Sequence, residues 1–200
     1  MDKYEIVVSG TGGQGVLLVG SVLDRAARFD GWTRVIGSEI HGMAQRGGSL
    51  VSYTRLGDDI HGPIVSIGSA NVIISLEYIE GLRNIDRLSR NGYMVVAETK
   101  IPSSAMWVAD TSYPDRDEIL SSMQHVTNNV LVLDAGKIAA GVGNIRAANM
   151  VMLGAVAAAV DGFPISPESL KMAIEIVFPK KLIDVNIKAF SEGMQALGPR

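Results

Sequence analysis

Short β-rich runs separated by polar turns occupy the first two thirds of the chain. The run at 4–9 leads into a turn in which four of six residues are glycine, and apolar residues then recur at helical spacing from Val16 onwards. This order predicts a strand, a glycine turn and a helix. Further strands are predicted at four β-rich runs, namely 33–37, 72–76, 93–97 and 129–134.

A β-hairpin is predicted in the second quarter of the chain. β-Branched and aromatic residues at 50–56 are followed by the turn signal Gly57-Asp58-Asp59 and by a second extended run at 60–67. The preceding polar segment, 38–48, is punctuated by glycine, and we predict a loop or a broken helical turn there. The helices predicted between the later strands lie at 78–88 and 115–124.

The last third of the chain changes to helical spacing throughout. Ser166 is a typical N-cap, and Pro167 is a residue favoured in a first helical turn. The helices predicted here lie at 147–160, 167–177 and 182–197. We therefore predict a single α/β domain over residues 1–200, with a mainly parallel sheet, a Rossmann-like glycine turn, a hairpin insertion and a C-terminal helical layer at about 145–197.

Composition narrows the classes of function. Hydrophobic residues make up 47% of the 200 residues and the formal net charge is -3, so the chain can bury a core but has no basic stripe for nucleic acid. The absence of cysteine excludes an iron-sulfur cluster or a zinc-thiolate site on this chain. The longest apolar stretch, 150–160, is shorter than the about 20 residues that cross a membrane. Because the first residues also lack a secretory pattern, we expect a cytoplasmic protein.

The glycine turn after the first strand is the first candidate site. It matches G-x-G-x-x-G between a strand and a helix, so its backbone N–H groups can face an anion. A nicotinamide site also needs an acidic residue about 20 residues further on, and Glu39 is the nearest one, although it lies late. The alternative is a turn that only permits close packing. The candidate binding residues are Gly10, Thr11, Gly12, Gly13, Gln14 and Gly15.

The segment 38–48 is the second candidate site, because polar side chains and glycines are crowded together in it. An arginine can pair with a carboxylate or phosphate, and a histidine can exchange a proton near neutral pH. A metal site has little support, since the other histidines are far away in sequence. The candidates are His41, Arg46 and Glu39 for catalysis, and Gln45, Gly47 and Gly48 for binding.

Both segments together resemble a known family. GTGGQG at 10–15 and SEIHGMAQRGG at 38–48 are similar to the paired signatures of the gamma-type domain of 2-oxoacid:ferredoxin oxidoreductases. The similarity continues at 68–71, 149–155 and 178–181, so it covers nearly the whole chain. The second motif looks most like the form in the beta subunit of the indolepyruvate branch.

The resemblance implies oxidative decarboxylation of an aryl-2-oxoacid such as indolepyruvate, with coenzyme A as co-substrate and ferredoxin as electron acceptor. It implies that thiamine diphosphate, magnesium and the iron-sulfur clusters lie on a large partner subunit, that this chain binds no cofactor alone, and that it is inactive alone. It also implies that Arg46 or the turn at 10–15 contacts a substrate carboxylate or a coenzyme A phosphate.

Two other classes of function stay open at this point. A free-standing NAD(P)-binding dehydrogenase is supported by G-x-G-x-x-G and predicts that the chain alone binds NAD. A non-enzymatic interaction module on the same scaffold predicts a function without a thiamine-dependent partner. Neither class gives a reason for the second glycine-rich motif. An isolated chain with an exposed partner surface can also self-associate.

Overall fold

The computed structural model describes residues 3–42, 47–102, 106 and 112–197. Within these residues the strands form a six-stranded sheet in the order β2-β3-β1-β4-β5-β6. The strands are β1 Tyr4–Thr11, β2 Val35–His41, β3 Ser49–Leu56, β4 Ala70–Ser75, β5 Leu88–Ala97 and β6 Val130–Leu133. The α-helices are α1 Val16–Phe29, α2 Tyr78–Arg83, α3 Arg116–Gln124, α4 Ala135–Gly141, α5 Ala148–Ala159, α6 Pro167–Val177 and α7 Lys180–Leu197.

The sheet is mainly parallel, as predicted. β1, β4, β5 and β6 pair in parallel, and only β3 runs antiparallel to both of its neighbours. Successive residues of β1 alternate between two cores: Ile6 and Val8 lie in one, and Val7 lies in the other. A strand covered on both faces explains why the first apolar run is continuous.

The predicted hairpin between 50–56 and 60–67 is wrong. β3 instead pairs with β2, from Val35 opposite Leu56 to His41 opposite Leu50. The run at 60–67 forms no strand. Pro63 has no N–H to donate to a ladder, and the carbonyl groups of neighbouring residues accept hydrogen bonds from arginine side chains instead.

The predicted loop at 38–48 is also partly wrong, because 38–41 are the last residues of β2. The polar residues there face solvent on an edge strand, which commonly carries charged side chains. Residues 43–46 of the same segment lie outside the described part of the chain.

Helices cover both faces of the sheet. α1, α4, α5, α6 and α7 contribute residues to the larger core, and α2 and α3 contribute to the smaller one. The three predicted C-terminal helices are confirmed. The predicted helix at 78–88 is shorter than expected, because a 3-10 turn at Ile85–Arg87 follows α2 and Leu88 already begins β5. Helix α4 follows β6 and is capped by Asp134, whose side chain accepts a hydrogen bond from the N–H of Lys137.

Helices α5 and α7 cross in direct backbone contact. A Cβ atom added to Gly154 would lie 1.9 Å from the carbonyl oxygen of Phe190, and one added to Gly193 would lie 2.0 Å from that of Val151. Only glycine permits this approach at each position. The contact fixes the position of α5, which is buried along most of its length.

The N-terminus of α6 is anchored to the end of α1. Ser166 caps α6 as predicted, with its hydroxyl accepting a hydrogen bond from the N–H of Ser169. The carboxylate of Asp30 accepts hydrogen bonds from the N–H of Ser166 at 2.5 Å and from the hydroxyl of Ser169 at 2.5 Å. Among the described residues, no helix combines the length and apolar character that a membrane span requires.

Candidate functional site

The carboxyl ends of the parallel strands meet at one edge of the sheet. From β1 the chain crosses through α1 toward β2 on one side, whereas from β4 it continues to β5 and β6 on the other side. The crevice between β1 and β4 is therefore the topological switch point, where open α/β folds bind ligands. The first glycine motif follows β1 directly and lies at this point.

Gln14 holds the first glycine motif in shape. Its side-chain oxygen accepts hydrogen bonds from the N–H of Thr11 at 2.8 Å and from its hydroxyl at 3.1 Å. Its side-chain nitrogen donates to the carbonyl oxygen of Leu76 at 2.6 Å, just after β4. Both ends of this amide are thus used within the protein, and the side chain links the β1 turn to the β4 turn.

Gly15 begins helix α1 and touches helix α5. Its φ of 81° lies in the left-handed region, and a Cβ atom here would lie 2.3 Å from Nδ2 of Asn149. Asn149 is buried and donates from Nδ2 to the carbonyl oxygen of Gly15 at 3.4 Å. The buried amide of Asn149 therefore has hydrogen-bond partners within this chain.

The structure brings the two glycine motifs into contact. The N–H of Gly12 donates to the carbonyl oxygen of Gly48 at 2.9 Å, and the N–H of Gly47 donates to that of Gly12 at 3.4 Å. Residues 12 and 47–48 therefore form one continuous surface at the switch point. Two predicted members of the second motif, Gln45 and Arg46, lie outside the described residues.

Glu39 and His41 do not join this surface. Both are exposed on the edge strand β2, with Nε2 of His41 3.7 Å from Oε2 of Glu39. Because β3 lies between β2 and β1, they are separated from β1 by two strand spacings, or about 10 Å. In a dinucleotide-binding fold the second strand lies next to the first and places its acidic residue beside the glycine turn. The topology therefore argues against the NAD(P) alternative.

Two clefts flank the first glycine motif. The first, with a volume of about 260 Å³, lies over the ends of β4 and β5 and is lined by Leu76, Ala97 and Thr99. The second, with a volume of about 380 Å³, lies between the motif and α7 and is lined by Leu18, Phe178, Leu182 and Asn186. Gly13, Gln14, Arg146 and Asn149 line both clefts.

Among the described residues Arg146 is the cation of this site, and sequence analysis missed it. It is exposed in the short 3-10 turn before α5, where its main-chain N–H donates to the side chain of Asn144. Its guanidinium group has no hydrogen-bond or ion-pair partner in the part of the chain that the structure describes. The sequence around Arg146 does not mark it as a site residue, because only the tertiary fold brings it close to the glycine motif.

The electrostatics of the site favour an anion. The N-terminus of α1 carries the positive end of the helix dipole. Its first turn contains no acidic residue, and Gly15 provides no capping side chain. With the guanidinium group of Arg146 nearby, the arrangement suits a phosphate or carboxylate. No group of three or more metal-binding side chains occurs among the described residues.

Comparisons with known proteins agree with this architecture. A family model described as pyruvate ferredoxin/flavodoxin oxidoreductase matches residues 5–196. The indolepyruvate oxidoreductase subunit IorB of Pyrococcus horikoshii is 39% identical over 197 residues, which cover 98% of this chain and 96% of that protein.

Solved structures share the fold at lower sequence identity. The pyruvate oxidoreductase subunit PORC of Thermotoga maritima has a TM-score of 0.72 at 23% identity, covering 98% of this chain and 97% of that one. The 2-oxoglutarate:ferredoxin oxidoreductase of Magnetococcus marinus, solved with 2-oxoglutarate, coenzyme A and succinyl-CoA bound, has a TM-score of 0.68 at 18% identity and covers 98% of this chain and 31% of that one. The family match and the IorB relative together show that this chain belongs to the pyruvate ferredoxin/flavodoxin oxidoreductase family.

Proposed function

We propose that this chain is the small subunit of an indolepyruvate-type 2-oxoacid:ferredoxin oxidoreductase and that it supplies the coenzyme A site of the complex. The observation that carries the second part is the guanidinium group of Arg146, which has no partner among the described residues and lines both clefts beside the paired glycine motifs. The 39% identity to an indolepyruvate oxidoreductase subunit supports the first part.

The chemistry of coenzyme A matches the lining of the two clefts. Its phosphates carry the negative charge that Arg146 and the N-terminus of α1 attract. Its pantetheine arm has amides that can bond to the side chains of Asn144 and Asn186, and an apolar stem that can pack on Leu18 and Phe178. Ligand sites commonly combine an apolar wall with a few polar groups in this way. The fold also occurs in an enzyme solved with coenzyme A bound.

The redox chemistry is assigned to the partner. Because this chain has no cysteine, it cannot hold an iron-sulfur cluster through thiolates. We place thiamine diphosphate, magnesium and the clusters on the large subunit. In the proposed reaction the 2-oxoacid loses carbon dioxide, its acyl carbon forms a bond to the coenzyme A sulfur, the thiol proton is released, and a pair of electrons passes to ferredoxin.

The remaining predicted site residues are proposed to face the partner subunit. Glu39 and His41 are exposed at the sheet edge, where a second protein can reach them. Gln45 and Arg46 belong to the same motif as Gly47 and Gly48, so we propose that they also border the shared site. Within this proposal, residues 1–200 act as one domain of a cytoplasmic complex.

Reconstitution tests the function. The chain is co-expressed with the large subunit, and viologen or ferredoxin reduction is measured anaerobically with indolepyruvate and coenzyme A. We expect activity in the complex and none in either subunit alone, with pyruvate and 2-oxoglutarate as weaker substrates. A complex that is inactive with every 2-oxoacid, together with NAD binding by the single chain, contradicts the proposal.

A further inference from the structure

Two buried glutamates lie directly beside the paired glycine motifs. The relative exposure of Glu77 is 1% and that of Glu80 is 6%. Together with Thr11 and Gly47 they line a small cavity of about 20 Å³ on the α2 side of the sheet edge. Neither glutamate lines the two clefts that we assign to coenzyme A, and nothing in the proposed reaction requires either one.

Glu80 binds the chain just after the second glycine motif. Its Oε2 atom accepts a hydrogen bond from the hydroxyl of Ser49 at 2.5 Å, and its Oε1 atom lies 3.4 Å from Nε of Arg83. Ser49 follows Gly48 directly and is the strand partner of Thr11. The carboxylate therefore fixes the residue at which the second glycine motif joins the sheet.

Glu77 binds the segment that follows Thr99, a residue in the wall of the first cleft. It caps α2 by accepting a hydrogen bond from the N–H of Glu80 at 2.9 Å, and its other carboxylate oxygen accepts from the N–H of Ile101 at 3.1 Å and from the hydroxyl of Tyr113. Thr99 lines the first cleft, and its carbonyl oxygen accepts a hydrogen bond from the main-chain N–H of Tyr78, the residue after Glu77. The glutamate pair thus holds Ser49, next to the second glycine motif, and Ile101, two residues after Thr99.

Burying two carboxyl groups side by side is costly unless hydrogen bonds compensate. Burial raises the pKa of Glu80, an effect that the Ser49 hydroxyl and Arg83 oppose. An apolar pair would fill the same volume without this cost. The hydrogen bonds that the two carboxylates make instead link separate segments of the chain.

We infer that Glu77 and Glu80 are positioning residues that hold residues 47–48 of the second glycine motif and the Thr99 wall at the spacing required for coenzyme A. This inference rests on the proposed function. Because hydrogen bonds of the second motif to Gly12 shape the surface at the switch point, loosening Ser49 would widen that surface. The consequence is weaker binding of coenzyme A without a direct effect on the reacting atoms.

The test uses the complete two-subunit enzyme and the variant Ser49→Ala, which removes one hydroxyl. We expect its KM for coenzyme A to rise roughly tenfold, as for loss of a hydrogen bond to a charged group, while kcat stays within about twofold. Glu80→Ala should show the same pattern. Glu80→Gln keeps an acceptor oxygen for Ser49 and should recover most of the affinity.

Ser52→Ala is the matched control. Ser52 lies on the same strand and is buried, and its hydroxyl has no hydrogen-bond partner among the described residues. Its KM for coenzyme A should match that of the wild type. A Ser49→Ala enzyme with a lower melting temperature but an unchanged KM would overturn the positioning role and leave the proposed function intact. A wild-type complex that needs no coenzyme A would instead refute the proposed function.

Discussion

Replacing Gly193 by alanine tests the backbone contact that positions the site. The added Cβ atom would lie 2.0 Å from the carbonyl oxygen of Val151 and 2.8 Å from its carbonyl carbon. Both obstacles are backbone atoms, so neither can turn away as a flexible side chain would. Helices α5 and α7 must therefore separate by roughly 1.5 Å to restore an ordinary van der Waals distance of about 3.5 Å.

The magnitude follows from two opposing effects. Overpacking of this kind costs about 1–3 kcal/mol, and separation of two buried helices places this variant near the upper end. Alanine recovers up to about 1 kcal/mol through its higher helix propensity. We expect the free energy of unfolding to fall by about 2 kcal/mol, or the melting temperature by about 4–8 °C for a chain of this size.

Urea unfolding followed by circular dichroism measures this change, with Gly141→Ala as control. Gly141 ends α4, and a Cβ atom added there would meet no described heavy atom within 4 Å. The control should be as stable as the wild type or slightly more stable. A Gly193→Ala variant that matches this control would refute the inferred backbone contact.

Three further substitutions should change the stability of the fold by amounts that follow from the structure. Gly15→Ala combines a positive φ with a Cβ atom 2.3 Å from an α5 side chain, so calorimetry should show a loss of about 1–3 kcal/mol in unfolding free energy. Arg55→Ala removes the Nε that lies 2.6 Å from the fully buried Glu5 and leaves Lys3, at 3.0 Å, as its ion-pair partner, so urea unfolding should show a loss of at most about 3–5 kcal/mol. Burial alone would raise the pKa of Asp30, but hydrogen bonds from two serines of α6 outweigh it and lower that pKa. The ionised Asp30 carboxylate therefore stabilises the folded state fully above the unfolded pKa of about 3.9. This stabilisation is lost as pH falls through the lower folded pKa. Urea unfolding at pH 7 and pH 3 should show a smaller acid-induced loss for Asp30→Asn than for wild type, and equal losses would contradict this assignment.

The spacing of apolar residues and the turn and capping residues were sufficient to predict the elements that bury a regular apolar face. β1, the glycine turn and α1 follow from periodicity and from Gly15, and the capped start of α6 follows from Ser166 and Pro167. The wrong hairpin arose because β3 finds its partner earlier in the chain, in β2. The polar composition of 38–41 is typical of a loop, and only the pairing with β3 shows that these residues belong to a strand.

The site was only partly predictable for a related reason. The two glycine motifs were identified from sequence, but their mutual hydrogen bonds depend on the pairing of β1 with β3. Arg146 lies more than a hundred residues from the glycine turn and looks like an ordinary surface residue. The buried state of Glu77 and Glu80 depends on tertiary contacts, because charged side chains usually face solvent.

The measurement that tests the central claim most directly is the KM for coenzyme A of the Arg146→Ala complex. Loss of a phosphate-pairing guanidinium group should raise this KM about tenfold or more and leave the KM for indolepyruvate within about twofold. Arg90→Ala is the control, because Arg90 is exposed near the amino end of β5, away from the switch point. An Arg146→Ala complex with an unchanged KM for coenzyme A would contradict the assignment of these clefts.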